Sequence, residues 1–298
     1  MSTPVASGEE RVTIRGLRHL AGRMPVRGRL GVLLVAIAWP LDWILPGLRT
    51  QLFFFPLWLG YILTVDGLVF ARTGTSLWER GRARFAGLFV VSAPVWWLFE
   101  LFNLRTDNWH YLGRNEFSDF QFAAGATIAF TTVIPAVFGT AELISSFLTG
   151  NCGGVAVSNL KLTHVVMFVL GWAMLACVLA WPRYCFPFVW TSLVCLVEPV
   201  NAAAGYRTIL GVTRNRGWKP VVALGLAGPA CGVFWEMWNY YSYPKWTYSV
   251  PFVGFLHIFE MPLLGYLGYI PFALELFVLY NLATGVARRG RGDYVRMA

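Results

Sequence analysis

Two stretches of this chain carry residue types and spacings suited to chemistry: Glu100-Leu-Phe-Asn103 followed by Trp109-His-Tyr111, and Glu236-Met-Trp-Asn239 followed by Trp246-Thr-Tyr248. On a helix, spacing i, i+3 puts the amide on the same face as the carboxyl, and the Trp and Tyr bring indole and phenol donors to the same depth. If Glu100 and Glu236 approach closely, one shared proton is favoured, because two adjacent carboxylates do not both ionise cheaply. Such a pair is a proton donor held in a dry, aromatic setting. On this reading Glu100 and Glu236 are the acids, Asn103 and Asn239 orient them, and Trp109, Tyr111, Trp246 and Tyr248 surround a substrate. The plainer expectation is that the carboxyls tie helices together while the rings form an interfacial belt.

These two glutamates belong to a larger set. Asp42, Asp66, Glu100, Glu142, Glu198, Glu236, Glu260 and Glu275, eight of the fifteen acidic residues, fall in long apolar stretches that contain no Lys or Arg. A carboxylate at bilayer depth is disfavoured by roughly 2.5 to 3.5 kcal/mol, so it is normally paired, neutralised or turned toward water. With no cation in the same stretch, the sequence predicts acids that are protonated, share protons, bond neutral groups, or face a cavity holding water or a cation. Asp66 and Glu198 form a second matched pair near the cytoplasmic ends of their spans. They are candidates for the substrate site or for capping the nearby loops. Glu142 and Glu275 have the same status, and Asp42 lies close to the outer boundary.

His257 and Glu260 form an HxxE motif, and with His110 they are the candidates for a metal. Bundle metal sites use the opposite order, Glu-x-x-His, and the chain has only four histidines, so no metal and no cofactor are expected. No Walker loop, GxGxxG, HExxH or CxxCH motif is present, which removes nucleotide, zinc-protease and c-type haem chemistry from consideration.

The elements that must position these residues are membrane helices. The chain is 57% hydrophobic and its mean hydropathy is +0.56. Eight apolar runs approach the roughly 20 residues needed to cross a bilayer. They cover about 31–48, 52–71, 85–104, 120–148, 164–181, 186–204, 220–241 and 255–284. The first follows a basic segment, residues 1–29, and lacks a small-residue cleavage site, so it reads as an uncleaved span. Within that segment Val12, Ile14, Leu17, Leu20 and Met24 alternate with arginines, as in a helix lying on an anionic leaflet or in a solvated basic tail.

The net charge of +9 resides in loops beside the membrane and carries no nucleic-acid recognition motif. Arginines and lysines at 72–84, 161, 207–219 and 288–296 place those segments in the cytoplasm, with 105–118 and 242–254 outside and both termini cytoplasmic, as expected for a multi-pass protein of a bacterial inner membrane. The five cysteines show no paired spacing, so neither a disulfide framework nor a thiolate metal site is expected.

An internal repeat organises the spans. FPLW at 55–58 leads to Asp66 as FPFVW at 186–190 leads to Glu198, the two Glu-x-x-Asn and Trp-x-Tyr motifs correspond, and Pro135 precedes Glu142 as Pro271 precedes Glu275. Matches in this order imply an all-α protein of two tandem four-helix repeats, 30–148 and 164–284, joined by a linker at 149–163 and followed by a basic tail at 285–298. Four spans per half give both halves the same orientation about an axis along the membrane normal. The combination has an architectural likeness to the membrane-embedded lycopene cyclases, which also duplicate a helical unit and use acidic residues, although that family's motifs have no residue-by-residue match here and this repeat unit is longer.

Three functions fit this reading. The leading one is an enzyme using its intramembrane carboxylates on an isoprenoid or lipid. The second is a proton- or cation-coupled transporter, and the third is a non-catalytic assembly or pigment-binding subunit. The expected partners are membrane lipids and a lipophilic small molecule or cation, with no nucleic acid, and an oligomer is compatible with the sequence.

Overall fold

A computed structural model describes residues 22–47, 49–149, 153–154, 159–287 and 294–297. The amphipathic pattern up to Ala21 and Cys152 lie outside these residues. The chain is helical, as its apolar runs predict, and seven segments are long and apolar enough to cross a membrane: Gln51–Thr73, Arg82–Thr106, Asp119–Ser145, Leu160–Ala180, Pro182–Ala203, Lys219–Tyr240 and Leu263–Val286. The first expected span differs. It is a helix over Val26–Ile44 (α1), and its earlier start brings Arg27 and Arg29 into the first turn, so these two and Asp42 set it apart from the other seven.

Helix α1 runs antiparallel to α2 (Arg49–Thr73), and glycines allow the contact. A Cβ on Gly31 would lie 2.6 Å from the carbonyl of Gly60, and one on Gly67 would lie 2.7 Å from the Cα of Gly28. Small residues let backbones approach this closely in a bilayer, where dispersion contacts replace the hydrophobic drive. Helix α3 (Arg82–Thr106) leads to strand β1 (Trp109–Leu112). The fourth span, read from the sequence as one piece, is two helices, α4 (Asp119–Phe130) and α5 (Val133–Ser145). Pro135 has no N–H to give to the preceding turn. Ser92 on α3 bridges the break, donating to the Phe130 carbonyl and accepting from Ile134 N at 3.0 Å.

After α6 (Leu160–Ala180), one helical turn and a 3-10 turn lead into α7 (Val189–Ala203). Then come α8 (Ile209–Arg216), α9 (Lys219–Tyr240) and strand β2 (Lys245–Tyr248). The last span was expected over 255–284, but residues 257–262 instead form a small hairpin, β3 (His257–Ile258) with β4 (Met261–Pro262). A 3-10 stretch, Leu263–Gly268, precedes α10 (Tyr269–Val286).

The packing has the same plan at both ends of the chain. Helix α1 lies on α2 as α6 lies on α7, α2 and α3 both pack on α5 as α7 and α9 both pack on α10, and α5 against α9 joins the two groups. Trp58, Phe99, Phe138, Trp238, Phe272 and Phe277 fill the shared core. Helices α1 and α6 keep an apolar outer face, for example Leu33 and Ile37 or Val169 and Trp172, as suits contact with lipid. A strand pair and a returning chain segment lie at opposite ends of α3 and α9. At one end β1 pairs with β2; at the other Tyr294–Met297 folds back into the bundle, with Tyr294 OH donating to Leu77 O at 2.7 Å and Arg207 donating to Val295 O at 2.9 Å. These residues belong to the stretch 285–298 read from the sequence as a basic tail, and Tyr294, Val295 and Met297 are buried. The four described cysteines, Cys177, Cys185, Cys195 and Cys231, are free thiols.

Candidate functional site

The expectation that the acids lack cations is corrected at three of them. Arg27 reaches from the first turn of α1 to Asp66, 2.9 Å away, and also pairs with Glu79. Arg80, in the loop before α3, pairs with Glu142, and Lys245 pairs with Glu260. A long side chain anchored outside the span extends its charge inward along apolar surface, which a count of charges within the spans does not register.

Asp66 is fully occupied: it also accepts from Ser76 Oγ at 3.0 Å and from Trp78 N at 3.0 Å. Its matched residue Glu198 accepts from Ile209 N at 2.9 Å and Leu210 N at 2.8 Å, capping the N-terminus of α8. Both therefore fasten the loop 10 to 12 residues downstream. The last of the sequence matches separates in space. Glu142 sits with Arg80 and accepts from Arg296 N, whereas Glu275 accepts from Leu193 N at 3.2 Å inside the α7–α10 contact.

Glu100 and Glu236 have different surroundings. On α3, Glu100 Oε1 accepts from Trp96 Nε1 at 2.8 Å, Trp109 Nε1 at 3.2 Å and Tyr111 OH at 2.6 Å. On α9, Glu236 Oε1 accepts from Tyr248 OH at 2.7 Å and Tyr269 OH at 2.7 Å, while Trp246 Nε1 donates to Tyr248 OH at 2.9 Å. Glu236 is wholly buried and its Oε2 has no hydrogen-bond partner among the described residues. The two carboxyls do not bond to each other. A chain of rings lies between their partners, with Trp96 to Phe272 centroids 5.7 Å apart and Phe272 to Tyr269 6.3 Å apart. Trp190 and Trp235 widen this aromatic layer, lying 5.7 Å and 6.4 Å from Phe272.

The i, i+3 spacing predicts that each asparagine reaches its neighbouring carboxyl; in the structure each holds backbone instead. Asn103 Nδ2 donates to Trp109 O at 2.7 Å, and its Oδ1 accepts from Asn108 N at 2.9 Å and Trp109 N at 3.2 Å. Asn239 does the same for Trp246, donating to its O at 2.7 Å and accepting from its N at 2.9 Å. The chain reverses just after each helix, so peptide groups of the returning strand come within reach of the amide, and an amide matches a peptide group on both its donor and acceptor sides. The strands so held pair antiparallel, Trp109 opposite Tyr248, His110 opposite Thr247, and Tyr111 opposite Trp246. This ribbon turns the Trp and Tyr donors onto the glutamates. Burial, and then the neighbouring Glu100, holds the Tyr111 phenol well above the usual tyrosine range; burial, then Glu236 and Tyr269, does so for Tyr248. Both therefore remain donors throughout the physiological range.

The three metal candidates do not assemble. Glu260 is engaged by Lys245, His110 Nδ1 lies 3.5 Å from Asp107, His257 is exposed, and among the described residues no three His, Cys, Asp or Glu side chains come together. Trp96, Trp190, Tyr269 and Phe272 were not singled out as site residues from the sequence. Trp96 could have been found as the residue one helical turn before Glu100. Tyr269 lies within the stretch of prolines, glycines and tyrosines between Phe259 and Glu275, where no spacing links it to Glu236.

No family model, curated protein or solved structure matches the chain.

Proposed function

We propose that this protein is an eight-span membrane enzyme of two duplicated four-helix halves, acting by acid–base chemistry on a lipophilic substrate of the isoprenoid or lipid class. The observation that carries the reading is the setting of Glu100 and Glu236: each is ringed by phenol and indole donors in one continuous aromatic layer, whereas Asp66, Glu142, Glu198 and Glu260 are engaged by cations or helix amides. A face-to-face relay of spare acids, as a proton-coupled transporter needs, would have to draw on those engaged groups.

Duplication is supported by the bonds the two halves share, each asparagine clamping the Trp of its returning strand and each glutamate accepting from the Tyr two residues further on, and by the strand register. When Trp246-Thr-Tyr248 is laid on Trp109-His-Tyr111, each Trp faces the other half's Tyr and His110 faces its own counterpart Thr247, the pairing a two-fold axis requires. In the reaction, the O–H of one protonated glutamic acid breaks as a C–H bond forms at a substrate double bond. The faces of the surrounding rings stabilise the resulting cation, and the carboxylate takes a proton from an adjacent carbon, restoring the acid and leaving a rearranged alkene.

The test compares lipid-soluble metabolites of membranes carrying the wild type or the Glu100→Gln, Glu236→Gln double variant, which keeps size and hydrogen bonding but cannot release a proton. Loss of conversion with intact accumulation is expected; full conversion in the double variant refutes the mechanism. The proposed topology places 105–118 and 242–254 outside. Labelling of a cysteine at Arg114 but not at Arg214 by an impermeant reagent is expected, and the reverse refutes it.

A further inference from the structure

The spacing of 136 residues that relates Glu100 to Glu236 also relates Trp96 to Gly232 and Ser92 to Gly228. The first half thus has an indole one turn before its glutamate, and the second half has no side chain there. Tyr269 fills that space. A Cβ on Gly232 would lie 2.4 Å from Tyr269 Cδ2, and one on Gly228 would lie 2.0 Å from the Tyr269 carbonyl oxygen, so both glycines are needed to seat this residue against α9. Its hydroxyl then takes the place of the Trp96 indole and donates to the matched glutamate at 2.7 Å.

The exchange alters what each site can do with a proton. An indole N–H only donates, whereas a phenol hydroxyl donates or accepts. Around Glu100, two indoles and a phenol converge on one oxygen. Around Glu236 the two bonds to Oε1 come from phenols, Tyr248 and Tyr269, which also lie within hydrogen-bonding reach of each other, while the Trp246 indole donates to Tyr248. Unlike an indole, the Tyr269 phenol can reverse its hydroxyl when Glu236 gains or loses a proton, at a carboxyl whose second oxygen is buried and has no partner among the described residues. Resting on the enzymatic reading above, we propose that the matched glutamates have divided roles: Glu236 is the acid that exchanges the proton, Tyr269 is the positioning phenol that allows it, and Glu100 serves as a fixed acceptor that holds Trp96, Trp109 and Tyr111.

The proton can be observed without any substrate. Infrared spectra of the full chain in lipid nanodiscs in heavy water, recorded across pH, report the carbonyl stretch of protonated carboxyls. A band lost in Glu236→Gln and retained in Glu100→Gln is expected. Tyr269→Phe, which removes a hydrogen bond but little volume, should shift that band, and Trp96→Phe should leave it in place. If Tyr269→Phe fails to accumulate, Gly232→Ala provides the same readout by forcing the ring away while keeping its hydroxyl. A band lost in Glu100→Gln and kept in Glu236→Gln, or one unmoved by both Tyr269→Phe and Gly232→Ala, overturns the division of roles. The two readings fail separately: with the expected bands but full metabolite conversion in the double variant, the enzymatic reading falls and the proton assignment stands.

Discussion

Replacing Asn239 by Ala removes two hydrogen bonds at once, the 2.7 Å bond from Nδ2 to Trp246 O and the 2.9 Å bond from Trp246 N to Oδ1. Asn239 is 1% exposed, so water does not readily replace the amide. A buried group left unpaired is disfavoured by about 1 to 3 kcal/mol, and Trp246 O and N are both left so, which gives a destabilisation of about 2 to 6 kcal/mol. Asn103→Ala removes three bonds, Asn108 N included, and should be at least as damaging. Unfolding of each variant in nanodiscs, followed by tryptophan fluorescence, gives the ordering, and conversion measured below the transition should fall partially because Tyr248 loses its anchor. If Asn239→Ala matches the wild type in stability, the amide is not a backbone clamp and the positioning argument fails.

Asp66→Ala leaves Arg27, Ser76 Oγ and Trp78 N without their buried acceptor and should destabilise by about 3 to 5 kcal/mol, whereas Glu79→Ala, on the exposed side of the same arginine, should change stability by less than about 1 kcal/mol. Equal effects in the same unfolding assay would contradict the assigned burial. The Tyr111 and Tyr248 phenols are held above the ordinary value of 10.0 in the folded protein. The unfolded chain releases these protons first as pH rises, so their contribution is complete below the ordinary value and is lost as pH climbs through the folded one. A stability profile should therefore decline on the alkaline side, and the Tyr111→Phe, Tyr248→Phe double variant should flatten that decline. An unchanged alkaline limb would show that these phenols do not titrate on unfolding.

Much of this protein follows from local order in its sequence. Long apolar runs require helices that satisfy their own backbone groups in a bilayer, and seven described segments meet the length and hydropathy this demands. The pairing of Glu-x-x-Asn with Trp-x-Tyr likewise marked residues that the structure gathers, because a helix followed by a short reversal brings both motifs together without help from the rest of the chain. Contacts between distant segments required the tertiary structure. Arg27 and Arg80 reach Asp66 and Glu142 across 39 and 62 residues, because cations anchored at a helix end or in a loop extend over several ångströms that sequence position does not encode. The asparagines chose backbone over carboxyl because the returning strand offers a donor and an acceptor together. Tyr269 became a partner of Glu236 because Gly228 and Gly232 leave room for it on the facing helix, a vacancy that has no meaning until the two helices are packed.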